Sequence, residues 1–186
     1  NAWQSLSRAS SNVFSAGDSL LLKRGEVFPP AFVSSGSGTE DAPITVSCYG
    51  EGSLPVIING NNYPSFIIHS AGNWVIENLE FTAPEGSGSL YIAAHTNQNV
   101  ENITVRKCVF RDISPDDDST GTAAISVGTD GKDARIKHLH FDDLKFYNVS
   151  WGIHTNGTNA ESDNGEYKNP DESYNSDYLF ENIYID

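Results

Sequence analysis

The stretch Ile103-Thr-Val-Arg-Lys-Cys-Val-Phe110 contains the pattern that decides the fold. Its first, third, sixth and eighth residues are apolar. Alternation with a period of two is typical of a β-strand with one buried face, and the two-residue step in the middle interrupts that alternation once. The stretch therefore predicts a strand, a tight corner and a second strand.

The same eight-residue spacing occurs four times along the chain, which indicates a structural repeat. The apolar positions of the copies are Trp74, Ile76, Leu79 and Phe81; Ile103, Val105, Cys108 and Phe110; Leu139, Phe141, Leu144 and Phe146; and Tyr178, Phe180, Ile183 and Ile185. The first positions of successive copies lie 29, 36 and 39 residues apart, which is typical of a solenoid whose constant frame carries loops of unequal length. We expect the first positions to stack in one file and the last positions in another, with neighbours about 4.8 Å apart.

A corner residue occupies the same place in every copy, just before the third apolar position. It is Asn78, Lys107, Asp143 or Asn182. Asn and Asp tolerate the left-handed backbone conformation of a sharp corner, whereas β-branched residues do not. The repeat therefore predicts a left-handed corner in each of the four copies.

The amino-terminal part of the chain adds weaker copies and a cap. Leu20, Leu21 and Leu22 predict one strand, and Ile44 and Val46 followed by Val56 and Ile58 predict a looser repeat with a longer corner. With these copies the solenoid has about six coils. Trp3, Leu6 and Ala9 recur at helical spacing, so a short helix over residues 2–10 is predicted to cap the first coil and to cover its strand edges.

Composition excludes several classes of partner. The chain has 186 residues, with 25 acidic and 11 basic ones, and its formal net charge of −14 argues against nucleic acid and anionic membrane surfaces. No apolar stretch is long enough for membrane insertion. There is no methionine, even at position 1, so we expect one β-solenoid domain over residues 1–186 that is a fragment of a longer chain.

The two cysteines, Cys48 and Cys108, are predicted to remain unpaired. They lie in coils separated by the coil that carries Trp74. Two strand spacings, roughly 9.6 Å, exceed the separation of about 7 Å that a disulfide tolerates.

Several short segments resemble the right-handed parallel β-helix proteins of the pectate-lyase-like superfamily. They are Ala2-Trp-Gln-Ser-Leu6, Gly17-Asp18, Ser35-Gly-Ser-Gly-Thr39, Pro43-Ile-Thr-Val46 and Tyr49-Gly50, together with the repeated corner motif. The resemblance implies a right-handed parallel β-helix that is secreted or exposed at the cell surface and has a polysaccharide as its partner. That superfamily includes polysaccharide lyases, glycoside hydrolases, uronate epimerases and phage tailspikes, so the resemblance implies no single reaction. No stretch matches the catalytic motif of a particular lyase or hydrolase, so no catalytic residue is inherited.

A candidate carbohydrate-binding face follows from a third strand in each coil. Tyr91–His95, 124–128 and 152–156 can be aligned on Ile92, Ile125 and Ile153, which are expected to be buried. The outward residues then predicted to contact substrate are Tyr91, Ala93, His95, Ser126 and Asn156, with His154 as the candidate catalytic residue because imidazole exchanges protons near neutral pH. An ordinary solvated sheet face explains the same pattern.

Two further kinds of site are predicted. Asp116, Asp117 and Asp118 offer oxygen ligands for Ca²⁺, and the acidic loop from Asn156 to Asp177 can add more, although such a run is more often a solvated loop. Asn102, Asn148 and Asn156 each begin an Asn-x-Ser/Thr triplet that is glycosylated only if the chain enters a glycosylating secretory route.

Two classes of function remain open. The first is a secreted polysaccharide lyase or glycoside hydrolase. A lyase needs a base and a cation that neutralises the uronate carboxylate, for which Lys132 and Lys168 are candidates, whereas a hydrolase needs two carboxylates. The second is a non-catalytic structural or adhesive module of a surface filament or other extracellular assembly. It would associate head to tail through its open carboxyl-terminal coil.

Overall fold

The computed structural model describes residues 5–29, 31–59, 66–84, 88–113, 123–131, 133–159 and 175–186. These residues form one short helix, α1 (Leu6–Ser10), and fifteen strands. The strands are β1 (Ser19–Lys23), β2 (Val27–Phe28), β3 (Phe32–Val33), β4 (Ile44–Tyr49), β5 (Val56–Ile58), β6 (Phe66–His69), β7 (Gly72–Glu77), β8 (Glu80–Ala83), β9 (Leu90–His95), β10 (Asn99–Arg106), β11 (Val109–Ile113), β12 (Ile125–Gly131), β13 (Arg135–Val149), β14 (Ile153–Asn159) and β15 (Asn175–Ile185). The fold is therefore all-β, as the sequence predicts.

The strands pair in parallel and form two sheets. The larger sheet has ten strands in the order β1-β4-β7-β10-β13-β11-β8-β5-β2, with β15 also paired to β13. The smaller sheet has five strands in the order β14-β12-β9-β6-β3. As far as β13, every third strand along the chain returns to the same row, so the arrangement is solenoid-like. Because β13 spans both the β10 row and the β11 row, the larger sheet curls around the core.

The two predicted files are confirmed by the strand registers. Ile103 pairs with Trp74 and Leu139, and Leu139 pairs with Tyr178. Phe110 pairs with Phe81 and Phe146, and Phe146 pairs with Ile185. The ring centroids of Phe81 and Phe110 are 4.9 Å apart, and those of Phe110 and Phe146 are 5.2 Å apart. Stacked rings in successive coils thus form the centre of the core.

The looser amino-terminal repeat differs from its prediction by one residue. Ile57, and not Val56 or Ile58, is fully buried and pairs with Phe81. The longer corner of this repeat changes the phase of the alternation, and a shift of one residue exchanges the two faces of a strand. The strand predicted from Leu20, Leu21 and Leu22 is present as β1, in which Leu20 and Leu22 are buried and Leu21 is exposed.

The amino-terminal helix is present over Leu6–Ser10, and residues 2–4 of its predicted range lie outside the described residues. Leu6 and Ala9 are buried against the core. The Oγ of Ser10 accepts a hydrogen bond from the backbone N–H of Val33, at 2.9 Å, which fixes the helix to the start of the smaller sheet. In the described part of the chain, no helix is long and apolar enough to cross a membrane.

The predicted left-handed corners are confirmed at all four positions. The φ angles are 56° at Asn78, 52° at Lys107, 49° at Asp143 and 52° at Asn182. A non-glycine residue rarely adopts such a conformation, and Asn and Asp do so at the lowest steric cost. The corner is therefore a fixed feature of the repeat, even where a lysine occupies it.

A second row of left-handed residues precedes each corner by five positions, and the sequence analysis missed it. The row consists of Asn73, Asn102, His138 and Asp177, with φ between 53° and 61°. The side chain of Asn102 donates a hydrogen bond to Asn73 Oδ1 at 3.1 Å. His138 Nε2 lies 3.3 Å from Asp177 Oδ2. Polar side chains of this row thus pair between neighbouring strands.

Two of the predicted glycosylation acceptors have a left-handed backbone and a side-chain hydrogen bond to a neighbouring strand. Besides Asn102, the exposed Asn148 has a φ of 51° and donates from its side chain to Asp112 Oδ1 at 2.7 Å. The left-handed backbone conformation and these hydrogen bonds explain why Asn occupies both positions. Asn156 is also exposed. Glycosylation of the three residues stays a prediction.

The Ser35-Gly-Ser-Gly-Thr39 segment has glycines where side chains would collide with backbone. Gly36 has a φ of 92°, and a Cβ there would overlap the Phe14 carbonyl group. The carbonyl of Gly36 accepts a hydrogen bond from Trp74 Nε1 at 3.1 Å. This segment thereby satisfies the indole N–H of a fully buried tryptophan in the first-position file.

The prediction that Cys48 and Cys108 are unpaired is confirmed. Cys108 is fully buried, and burial raises the pKa of its thiol to about 12. Cys48 is only partly buried. The Cys108 thiol is thus an inert part of the core at neutral pH.

Replacement of the corner lysine tests the role of the left-handed residues. We expect Lys107→Asn to raise the free energy of unfolding, and Lys107→Val to lower it by about 1 kcal/mol, because β-branched residues are the least compatible with this conformation. Urea denaturation measures both changes. Lys145→Asn, on a regular part of β13, is the control and should bring no gain. Equal stability of the Asn and Val variants would contradict a left-handed corner at Lys107.

Candidate functional site

The candidate site lies on the outer face of the five-strand sheet. Tyr91, Ser126 and His154 pair directly in register across β9, β12 and β14. They lie between residues that point into the core, such as Leu90 and Ile92. A second row, two residues further along, consists of Ala93, Gly128 and Asn156. His95 and Asp130 pair in the third row.

The predicted alignment of these strands is wrong by two residues in β9. Ile125 pairs with Leu90 and Ile153, and not with Ile92. The reason is that Leu90 and Ile92 are both apolar and differ by one strand period, so the alternation fits either register. Because the shift equals that period, every β9 side chain keeps its predicted face. Tyr91 takes the place beside Ser126 that had been assigned to Ala93.

Ala93 is wrong as a residue that contacts substrate. Although it alternates with core residues, only 1% of it is exposed. On the neighbouring strand, the Tyr91 hydroxyl oxygen would lie 3.5 Å from a Cβ built on Gly128, and Asn156 Oδ1 would overlap that atom. The small residues of the second row therefore accommodate larger side chains from both sides. The surface of the second row is therefore formed by Tyr91 and Asn156, and not by Ala93.

The histidine missed by the sequence analysis is His69, at the end of β6. It pairs with Ala93, and its ring centroid is 6.4 Å from that of His95. Among the described residues, its buried Nδ1 atom has no hydrogen-bond partner. The alternation of Phe66 and Ile68 would have placed His69 on the outer face. The strand is only four residues long and does not carry the repeat, so it was not aligned.

The environments of His69 and Tyr91 move their pKa values in opposite directions. Partial burial, and secondarily the neighbouring His95, lowers the pKa of His69 from its ordinary value of 6.5. Partial burial, and secondarily Asp130, raises the pKa of Tyr91. At neutral pH the His69 imidazole is therefore neutral and the Tyr91 hydroxyl keeps its proton. His95 Nδ1 and Asp130 Oδ2, 4.0 Å apart, form a further pair of titratable groups at this end of the face.

His154 lies at the opposite end of the first row, next to an exposed aromatic ring. The centroids of His154 and Trp151 are 6.2 Å apart, and their planes meet at 71°. Trp151 is 41% exposed. An exposed indole presents an apolar surface with a polar edge. The first row therefore has an aromatic residue at each end, Tyr91 on β9 and Trp151 before β14.

The predicted calcium ligands Asp116, Asp117 and Asp118 lie outside the described residues, as do Lys132 and Lys168. The same holds for residues 160–174 of the acidic loop. Across the residues that are described, no three His, Cys, Asp or Glu side chains are grouped to hold a metal ion. Calcium binding stays a prediction.

A separate cavity of about 500 Å³ lies at the amino-terminal end of the solenoid. Its lining includes Leu6 and Ala9 of α1, Leu20 and Leu22 of β1, and Phe28 of β2. These residues belong to the capping region. None of the predicted site residues lines this cavity, so the outer face of the smaller sheet remains the candidate site.

Solved structures of two carbohydrate-active proteins share the fold. The selenomethionine derivative of the GH136 lacto-N-biosidase from Eubacterium ramulus has a TM-score of 0.74 at 19% sequence identity, over 98% of this chain and 37% of that chain. The native form of that protein has a TM-score of 0.72 at 21% identity over the same shares. An alginate lyase from Paenibacillus sp. str. FPU-7 has a TM-score of 0.56 at 15% identity, over 97% of this chain and 63% of that chain.

The likeness at these identities shows the fold alone. This chain spans 37% of the length of the lacto-N-biosidase structures. No family model matches the chain, and no curated protein matches it in sequence.

The lowered pKa of His69 predicts an effect on stability in acid. Because the folded chain binds this proton less readily than the unfolded chain, the stabilisation is complete above the ordinary pKa of 6.5 and is lost as the pH falls through the lowered folded value. Between about pH 7.5 and pH 5, we expect the free energy of unfolding to fall less in the His69→Gln variant than in the parent chain. Urea denaturation across this range measures the difference.

An NMR titration provides the control for this prediction. His95→Gln removes a neighbour that lowers the pKa of His69, so the pKa of His69 should rise in that variant. A His69 that titrates at or above its ordinary value in the parent chain would contradict the prediction.

Proposed function

We propose that this chain is a stretch of a right-handed parallel β-helix of about six coils, from a secreted or cell-surface protein that acts on carbohydrate. The observation that carries the proposal is the in-register row of Tyr91, Ser126 and His154 on the outer face of the smaller sheet. The solenoid-like arrangement of parallel strands is shared with a lacto-N-biosidase and an alginate lyase. The two observations together favour a glycan as the ligand of this face.

The face offers the two kinds of contact that sugars require. Tyr91 and Trp151 present aromatic surface for the apolar side of a sugar ring, while the Tyr91 hydroxyl stays available for a hydrogen bond. Ser126, His154 and Asn156 present a hydroxyl, an imidazole and an amide, each of which both donates and accepts hydrogen bonds. An extended glycan that crosses β9, β12 and β14 would contact this set in succession.

The favoured activity is a polysaccharide lyase or a glycoside hydrolase. His69, His95 and His154 are candidate bases on the face, and Tyr91 is a candidate acid. Hydrolysis by two carboxylates would need a second acidic group beside Asp130, for which the acidic loop between Asn156 and Asp177 is a candidate source. In the same proposal, Asp116, Asp117 and Asp118 bind Ca²⁺.

The second candidate function is a non-catalytic module of an extracellular assembly. The observation that favours it is the set of large apolar side chains that β15 exposes. These are Leu179, Phe180, Tyr184 and Ile185, which are between 46% and 68% exposed. In this candidate function, a second copy packs against these side chains head to tail.

Replacement of the aromatic and imidazole side chains of the first row tests the proposed function. We expect Tyr91→Ala to weaken glycan binding by about two- to tenfold, which corresponds to the loss of one aromatic contact. His154→Ala should reduce both binding and turnover. A glycan array identifies the ligand, and calorimetry with that ligand measures the change.

Tyr147→Ala and His140→Ala provide matched controls, because these residues lie on the larger sheet. The controls should bind like the parent chain, and circular dichroism checks that all variants are folded. Unchanged binding in both Tyr91→Ala and His154→Ala would contradict the proposed face. If no glycan binds, and the chain associates with itself in sedimentation experiments, the second function is the correct one.

A further inference from the structure

The side chains of the smaller sheet share one electrostatic property. Its five strands, β3, β6, β9, β12 and β14, contain no lysine and no arginine. Among the described outward side chains, some are apolar, such as Ile67, and the polar ones are a phenol, a hydroxyl, an amide, three imidazoles and one carboxylate. They belong to Tyr91, Ser126, Asn156, His69, His95, His154 and Asp130.

The carboxylate of this set faces solvent and would repel an anionic ligand. The Asp130 side chain is 78% exposed and lies beside His95. The whole chain carries a formal charge of −14, so the long-range field also opposes the approach of a polyanion. Burial keeps His69 neutral at pH 7, so this imidazole adds no compensating charge there.

The same groups are well matched to uncharged sugars. Hydroxyl, phenol, amide and imidazole groups both donate and accept hydrogen bonds, as sugar hydroxyls do. The Asp130 carboxylate can accept hydrogen bonds from two sugar hydroxyls, and charged acceptors form the stronger bonds. The rings of Tyr91 and Trp151 add contacts that do not depend on charge.

We infer that this face recognises a neutral glycan, built from hexose or N-acetylhexosamine units, and that it discriminates against polyuronates. This inference rests on the proposed function, because it specifies the ligand of the same face, and it favours the glycoside hydrolase over the lyase, whose substrate carries a uronate carboxylate. It makes Asp130 a specificity-determining residue that accepts hydrogen bonds from neutral sugars and rejects carboxylates. Charge, and not the shape of the face alone, then selects the ligand.

Binding experiments on the parent chain test the inference directly. The probes are neutral oligosaccharides of hexose and N-acetylhexosamine, and oligomers of galacturonate, mannuronate and guluronate as the acidic set. We expect a neutral member to bind with a dissociation constant that changes less than about twofold between 50 and 500 mM salt, since no ion pair with the ligand is screened. Tighter binding of a polyuronate that weakens with salt would overturn this inference and leave the proposed function intact. Binding of neither set would overturn both.

A charge reversal provides the second measurement. Asp130→Lys should lower the affinity for the neutral ligand and raise the affinity for the polyuronate set by about tenfold. Asp130→Asn should raise the affinity for the polyuronate set by less than Asp130→Lys does, because it removes the repulsion without adding an attraction. Glu101→Lys is the matched control, because it makes the same change in net charge on an exposed residue of β10 in the larger sheet. An equal gain in the Glu101→Lys variant would show that net charge, and not Asp130, excludes polyuronates, and would overturn the assigned role.

Discussion

The left-handed corner between two short strands is the constraint on which this solenoid depends. At each corner, two residues instead of one separate consecutive buried side chains, and the corner residue adopts a positive φ. The corner residues are Asn78, Lys107, Asp143 and Asn182. Since the step occurs at one place in each repeat, successive coils align in one register. Apolar residues then stack on apolar residues, and the rings from Phe81 to Phe146 form a continuous core.

The parallel stacking of strands allows a candidate face to be built from residues far apart in sequence. Tyr91, Ser126 and His154 come from three different coils, and parallel pairing places them side by side. Loops of unequal length connect the strands of the smaller sheet to the rest of the chain, and they do not change the register of the sheet. Repeat proteins accommodate variation in this way. The function proposed here needs only the outward positions, because the inward positions are occupied by the core.

The larger sheet could be predicted from the sequence because its repeat is asymmetric. Two copies of a pattern that contains one two-residue step can be aligned in only one register. The file that contains Trp74 and the file that contains Phe81 therefore follow from the spacing alone. The smaller sheet has no such step. A pure alternation fits itself equally well after a shift of two residues, and Leu90 and Ile92 are both apolar, so the register of β9 could not be fixed. The left-handed row at Asn73, Asn102, His138 and Asp177 was missed because polar residues in a strand also indicate a solvent-exposed face.

The chemistry of the candidate site required three-dimensional information for a different reason. Exposure at an outward position depends on the neighbouring side chains, and only 1% of Ala93 is exposed although it alternates with core residues. The proximity of His69 and His95 depends on the pairing of β6 with β9. The charge of the face, in contrast, is readable from the sequence once the strands are known, since lysine and arginine are missing from all five.

The central claim is the register of β9 against β12, because the whole candidate face is built on it. Disulfide trapping tests this register in a background in which Cys48 is replaced by serine and Cys108 by alanine. Directly paired residues are about 4.8 Å apart, which a disulfide spans, whereas a two-residue offset gives about 8 Å, which it does not. The Tyr91→Cys and Ser126→Cys pair should therefore form a disulfide on mild oxidation, and the Ala93→Cys and Ser126→Cys pair should not. Efficient formation in the second pair and none in the first would contradict the account.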